Sequence, residues 1–501
     1  MDTHDQAVAA ISTQITHFCQ TRTPFRIYHG STNSTKNHKV DPTRMVDTSN
    51  LNHVLQVDTA SETCLVEPNV PMDQLVDATI PHGLVPKVVM EFPGITAGGG
   101  FAGTAGESSG FKYGFFDDTV NWIEIVVATG EVVRASREER SDLFHGAAGG
   151  FGTLGVTTLL ELQLIEAKAF VELTYHPTRS PGEAIEKLKE VCSSGLYDYV
   201  DGILFAPTHG AVITGRLTAT LRPNTKLQPF SRPQDPWHYL HVERSTAHAP
   251  HPVTVATPLR DYLFRYDRGA FWTGKYAFAY FLTPFNRLTR YLLDAFLHTR
   301  VMYHALHASG HAKKYIIQDL LIPSSHAETF IDFVAQTFGF WPLWLCPFRL
   351  PAGKEISLHP RLPPLSEAER AAGGRDFVNV GVWGPGSRSY AEFVRQNRLL
   401  EARVRELGGV KWLYAQAYYT EAEMWEVYDR GWYEGLRGKY GAGYLPSVYE
   451  KVRVDLSAAA AGREESGWAA WVRGWAWDVW PVSGVYGVLK TMWETEYLVK
   501  R

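Results

Sequence analysis

Residues 91 to 114, EFPGITAGGGFAGTAGESSGFKYG, are the stretch on which the fold turns. Glycine stands at Gly94, Gly98, Gly99, Gly100, Gly103, Gly106, Gly110 and Gly114, and each would weaken a helix or strand relative to alanine. The run therefore predicts irregular backbone that bends sharply or lets something approach closely. Thr96, Thr104, Ser108 and Ser109 add short hydroxyls beside open N–H groups, the chemistry of a nest for a phosphate or a polar ring edge. Phe92, Ile95, Phe101 and Phe111 predict burial rather than a floppy surface loop. Gly98, Gly100 and Gly103 satisfy G-x-G-x-x-G, but the residues after Gly103 have no helical periodicity, so a Rossmann site is not predicted. No P-loop motif occurs.

Working outward, two more small-residue loops flank this one. Val8, Ile11, Ile15 and Phe18 at helical spacing predict a first helix, followed by a strand at Phe25 to Tyr28. Directly behind that strand come His29, Gly30, Ser31, Thr32, Asn33, Ser34 and Thr35, which suit either a plain turn or a phosphate-holding loop. The third loop is GGFGTLGV at 149 to 156, immediately before an apolar strand from Leu159 to Leu164. Between the loops, strands are predicted at 51–57, 63–67, 122–128 and 131–134, with a helix from Pro71 to about Ile80. This irregular alternation predicts an α+β fold rather than a doubly wound parallel sheet.

The 501 residues, 45% hydrophobic and 20% charged, make an ordinary globular composition sufficient for two or three domains. A net charge of −4 leaves no basic footprint for nucleic acid. Cys19, Cys64, Cys192 and Cys346 are too scattered for a disulfide framework or a metal site, so a reducing compartment is the default. The first residues lack the basic start and apolar run of a signal peptide, and no stretch approaches the roughly 20 apolar residues of a membrane span. The expectation is a cytoplasmic protein, soluble or peripherally attached, of open oligomeric state.

Residues 169–407 read as a second α+β unit. Strands are predicted at 170–176, 200–206, 211–217, 314–321, 342–349 and 376–383, and helices near 182–192, 287–307 and 388–407. Its aromatic residues, among them Trp237, Phe271, Trp272, Phe278, Trp344 and Trp383, predict an aromatic core, with a few free to line a pocket for a flat apolar substrate. Residues 224–257 read as a surface excursion or a lid, and 354–375 as a loop. Residues 408–455 return to a helical pattern, with Trp425, Tyr428 and Trp432 on one face.

The loops YHGSTNST, PGITAGGGFAGTAGESSGFKYG and GGFGTLGVTTLLELQL, in this order, resemble the FAD-binding domain of the p-cresol methylhydroxylase and vanillyl-alcohol oxidase superfamily. GESSGFKYG at 106–114, IIQDLLIP at 316–323, FWPLWLCPF at 340–348, WLYAQAYYTEAEMWEVYD at 412–429 and YLPSVYEKV at 444–452 are similar to the delta-24-sterol reductases, also called dehydrocholesterol reductases. The resemblance implies a two-subdomain FAD-binding domain over 1–168, an α+β substrate or cap domain with a mainly antiparallel sheet over 169–407, and a segment at 408–455 that packs back over the flavin. It implies FAD held noncovalently by His29 to Thr35, by Pro93, Gly94, Ile95, Thr96, Gly98, Gly99, Gly103, Thr104, Gly106, Ser108 and Ser109, and by Gly152, Thr153, Gly155 and Val156. NADPH as electron donor and a sterol or terpenoid substrate are implied in the same way. The family typically begins with a membrane-anchoring segment, which this sequence is expected to lack. Phe264 and Tyr266 stand where the family is His-rich, and Gln416 where Asp is common.

Reduction of an isolated C=C bond by hydride requires a positioned acid for the second carbon. Tyr414, Tyr418, Glu426 and Glu107 are the candidate acids, although buried Tyr and Glu more often serve as hydrogen-bonded structural residues. Arg265 and Arg268 are candidates for an NADPH phosphate or the substrate, or else salt-bridge donors. An FAD-linked oxidase or cyclase of a specialised metabolite, and a catalytically idle sterol-binding flavoprotein, are the alternative readings. The tail, 456–501, carries Trp468, Trp471, Trp475, Trp477, Trp480 and Trp493; it suits peripheral contact with the endoplasmic reticulum membrane through 466–501, or packing on the body.

Overall fold

The stripe Val8, Ile11, Ile15 and Phe18 is buried along one side of the helix Asp2–Gln20, as its spacing predicts. In the computed structural model, residues 2–29, 41–339, 341–354, 357–358, 360–456 and 480–493 are described. That first helix leads into β1 (Arg26–Tyr28), which pairs in parallel with β2 (Met45–Asp47). Five further strands of the first unit are β3 (Val54–Asp58), β4 (Thr63–Val66), β5 (Leu84–Pro86), β6 (Val120–Val127) and β7 (Val132–Ser136). They form an antiparallel sheet around β8 (Gly155–Glu166), in the order β3-β4-β8-β6-β7, while β5 pairs with the far end of β8.

The second unit is one antiparallel sheet. Its strands are β9 (Phe170–Thr178), β10 (Tyr199–Ala206), β11 (His209–Thr218), β12 (Val253–Pro258), β13 (Tyr315–Pro323), β14 (Leu343–Pro351), β15 (Gly374–Pro385) and the short β16 (Val410–Lys411). They run in the order β12-β9-β11-β10-β14-β15-β13-β16. Period-2 alternation decides which neighbour each face meets. Leu343 and Leu345 of β14 join Ile316, Leu320 and Val380 beneath the helices Pro181–Ser193, Ala327–Phe338 and Tyr390–Glu406. Trp344, Cys346 and Phe348, one residue out of phase, enter a separate core with Phe101 and Phe116 of the glycine-rich region. The sheet therefore carries its own helical layer on one face and lays the other against the first unit.

Several sequence expectations are corrected. The stretch 91–114 is not wholly irregular, for Ala97–Ala102 and Gly110–Tyr113 are short helices. Glycine is used there for close approach: a Cβ on Gly98 would lie 2.6 Å from Pro68 Cβ, and one on Gly100 would lie 2.4 Å from Met90 Cε. Gly106 and Gly110 likewise accept the Phe348 ring, at 2.3 and 2.2 Å from where their Cβ atoms would sit. The segment 224–257 is no mere excursion, since it contains the helix His238–Thr246 and the start of β12, an edge strand paired with β9.

The helix expected over 287–307 is broken between Arg287–Leu292 and Thr299–Ala308, where Asp294 turns inward to Arg268. Trp425, Tyr428 and Trp432 do not share one helix either. Tyr428 is extended, and the Asp429 side chain caps a new helix, Arg430–Lys439, by accepting from Trp432 N.

In the tail, Trp468, Trp471, Trp475 and Trp477 lie outside the described residues. The helix Val482–Trp493 packs on Thr299–Ala308, with Gly487 against the Ala305 carbonyl and a 3.0 Å hydrogen bond between Thr491 Oγ1 and His304 Nδ1. Among the described residues, no helix is long and apolar enough to cross a membrane, and no cluster of side chains could hold a metal ion.

Candidate active site

Two cavities meet where the sheet of the second unit covers the glycine-rich stretch. The first, about 410 Å³, is lined by His29, by residues of the second and third glycine regions, and by Trp344 and Phe348 of β14, Asp319 of β13, Asn379 of β15 and Trp412. The second, about 510 Å³, is walled mainly by apolar side chains such as Phe271, Phe278, Phe281, Leu297, Met302 and Leu306. Glu91, Phe92, Tyr303 and Tyr414 line both. A ligand in the first cavity and one in the second would therefore each contact these four side chains.

The residues of the first cavity fit a long ligand with an anionic part and an aromatic part. Gly99 and Gly103 face it with no side chain, and Thr96 holds their helix by accepting from Gly99 N at 3.1 Å. Asn379 donates to Asp319 Oδ1 at 2.8 Å, while its own Oδ1 has no partner among the described residues, an acceptor left for a ligand N–H. Beside the third glycine region, Lys451 donates to the Phe151 carbonyl at 2.7 Å and shares the cavity wall with Arg26. Desolvation, with Arg26 as neighbour, pulls the Lys451 ammonium down to about 7. An anion here would relieve the Lys451 ammonium, as a diphosphate does.

At the junction the electrostatics favour a neutral acid. Glu91 is half-buried, opening onto the cavities, and has no ion-pair partner among the described residues. Desolvation, reinforced by the charges of Glu107 and Asp319, holds its carboxyl well above the usual carboxylate range. Tyr414 donates its hydroxyl to Asp319 Oδ2. Burial raises Asp319 to about 6 in spite of hydrogen bonds from Asn379 and Tyr414.

The sequence candidates separate cleanly on this frame. His29, Gly94, Ile95, Thr96, Gly98, Gly99, Gly103, Gly106, Gly152 and Gly155 line the first cavity. Gly30, Ser31, Thr32, Asn33, Ser34 and Thr35 lie outside the described residues. Six others are turned to protein partners. Pro93 offers its carbonyl to Arg300, Thr104 bonds the Gly103 carbonyl, and Ser108 meets the Tyr262 hydroxyl. Ser109 donates to the Lys87 carbonyl, Thr153 bonds Tyr433, and Val156 is buried in the β8–β6 ladder.

Of the candidate acids, only Tyr414 is at the junction. Tyr418 donates to Gln416 Oε1 at 2.6 Å away from both cavities, and Glu426 is an exposed partner of Arg405. Glu107 is buried against Arg265, 3.0 Å away.

Arg265 and Arg268 are structural. Arg265 is 1% exposed and binds Glu107 and, at 2.8 Å, Asp201 of β10, so it ties the glycine-rich stretch to the second sheet. Removing that guanidinium would leave two carboxylates buried without compensation. Arg268 is spent on Asp294 and on the Phe230, Asp235 and Pro233 carbonyls. The atypical positions are structural as well: the Tyr266 hydroxyl donates to Asp201, and Phe264 lies beneath the Arg260 guanidinium.

Glu91, Asp319, Asn379, Arg26, Lys451 and Tyr303 are the polar residues that sequence reasoning missed. Glu91 opens the glycine-rich stretch, and its signal was a lone carboxylate at the start of a long uncharged run.

Comparison with known proteins places these features. A family model described as an FAD binding domain matches residues 6–136. The chain is 30% identical over 411 residues to the Delta(24)-sterol reductase of Homo sapiens, covering 80% of this chain and 76% of that protein. It is 30% identical over 440 residues to the Delta(24)-sterol reductase of Arabidopsis thaliana, covering 81% and 76% respectively. With the Delta(24)-sterol reductase homolog of Caenorhabditis elegans the figures are 29% over 429 residues, 81% and 78%.

Proposed function

Because this chain belongs to the Delta(24)-sterol reductase family of FAD-dependent oxidoreductases, we propose that its second cavity holds the unsaturated side chain of a sterol or terpenoid at Glu91, which protonates the bond being reduced. The observation that carries this reading is the set of four side chains shared by the two cavities. FAD, held noncovalently in the first cavity, supplies the hydride when bound. Phe92 and Tyr303, with the wall of Phe271, Phe278 and Met302, exclude water and hold the apolar side chain. The Glu91 carboxyl, kept neutral by desolvation, gives its proton to the carbon that does not receive hydride, and the O–H bond breaks as the new C–H bond forms. The Tyr414–Asp319 pair beside it provides a route for reprotonation once the saturated product leaves.

NADPH is the proposed electron donor. Anaerobic mixing with NADPH should bleach the flavin of the purified protein. A flavin that stays yellow under excess NADPH refutes this donor and leaves an oxidase, in which the substrate reduces the flavin and oxygen reoxidises it, or an idle sterol-binding flavoprotein.

Peripheral contact with a lipid surface through the tail belongs to the same reading. Exposed Trp480, Tyr486 and Trp493 of the tail support it, as do exposed Leu282 and Leu292 of the body, whose sequence neighbours Phe281 and Leu293 line the substrate cavity. The full-length protein should float with anionic liposomes; protein left in the dense fraction refutes the contact.

A further inference from the structure

We infer that the C-terminal helix Val482–Trp493 is a wall of the substrate cavity and sets which sterol or terpenoid bodies fit. The inference rests on the reductase reading for the identity of the ligand, but the wall is argued from packing alone. Val485, Val488 and Leu489 line the apolar cavity opposite residues of the body, and Gly484 completes that side. Val485 and Leu489 are at the same time 42% and 55% exposed, so the cavity reaches the surface at this helix.

The helix is seated, not draped. A Cβ on Gly484 would stand 2.3 Å from Tyr280 Cε1, and one on Gly487 would stand 2.7 Å from the Ala305 carbonyl oxygen, so both glycines permit backbone-close packing. Thr491 is fully buried and bonded to His304, and the Trp480 indole donates to the Tyr280 carbonyl. Tyr280 and Ala305 themselves line the cavity. The residues that hold the helix are thus the residues that shape the site. The quoted motifs that resemble the reductases end at Val452, so ligand selection here would come from a part of the chain outside them.

The test uses full-length protein and equilibrium binding of cholesterol, a readout independent of turnover. Val488→Trp, which fills the cavity, and Gly487→Leu, which forces the helix off the Ala305 carbonyl, should each weaken binding at least tenfold while flavin content stays at the unmodified level. Val482→Ala, at an exposed position of the same helix outside the cavity, should bind as the unmodified protein does. Binding by both cavity variants within twofold of the unmodified protein overturns the inference, as does failure of the unmodified protein to bind cholesterol. If the unmodified protein binds cholesterol but reduces no unsaturated sterol, the reductase reading falls, and the two variants still decide the wall.

Discussion

Glu91→Gln is expected to slow reoxidation of the reduced flavin by an unsaturated sterol by about 10²–10⁴-fold, the usual worth of a positioned acid, with flavin content and bleaching by NADPH unchanged. The amide keeps the size and the cavity wall but has no acidic proton. Stopped-flow mixing of the pre-reduced protein with substrate isolates this step from the reductive one. The pH profile carries an independent sign. An acid must be protonated to act, so the unmodified rate should be full below the raised Glu91 pKa and fall as pH rises through it. In Glu91→Gln that fall should disappear. Glu426→Gln, at an exposed ion pair with Arg405, should change neither rate nor profile. A Glu91→Gln rate within threefold of the unmodified protein would move the proton to Tyr414, with Tyr414→Phe as the deciding variant.

Gly99→Val and Gly103→Val are expected to leave the folded protein colourless. Both residues face the first cavity, and a Cβ at either meets only its own helix: Thr96 Oγ1 at 3.1 Å from Gly99, and the Gly99 carbonyl at 3.0 Å from Gly103. The valine methyls would extend into the space the flavin needs. Gly100→Val differs in kind, since it drives a side chain into Met90 and the Phe116 ring and should lower the thermal midpoint through core strain. The ratio of flavin to protein absorbance, read beside the far-ultraviolet circular dichroism, separates the two cases. Full flavin in both Gly99→Val and Gly103→Val would show that the cofactor is not seated against this helix.

The features legible in the sequence are those set by local forces. The continuous apolar run LWLCPF announces a strand buried on both faces, and the Ile11, Ile15, Phe18 spacing announces a helix, because each pattern is a property of a few neighbouring residues. The cradle glycines were legible because missing side chains are visible letter by letter. Their division into those that pack and those that face a cavity was not, since it depends on Pro68, Met90 and Phe348 arriving from elsewhere. Asp319 and Asn379 come together only through the register of β13 on β15, which no single strand encodes. Arg265 read as a candidate ligand cation because its partners Asp201 and Glu107 are 64 and 158 residues distant. Glu91 was overlooked for the same reason: its acidity is set by burial and by the charges of Glu107 and Asp319, not by its neighbours in the chain.

Whether the two cavities join a flavin to a sterol side chain can be decided in one anaerobic vessel. The protein is reduced with a single equivalent of NADPH and mixed with a sterol unsaturated in its side chain; the flavin spectrum and the sterol mass are then followed together. The yellow colour should return without oxygen as the sterol gains two hydrogens, one product per flavin. A flavin that stays bleached until air is admitted, beside a sterol of unchanged mass, would contradict it.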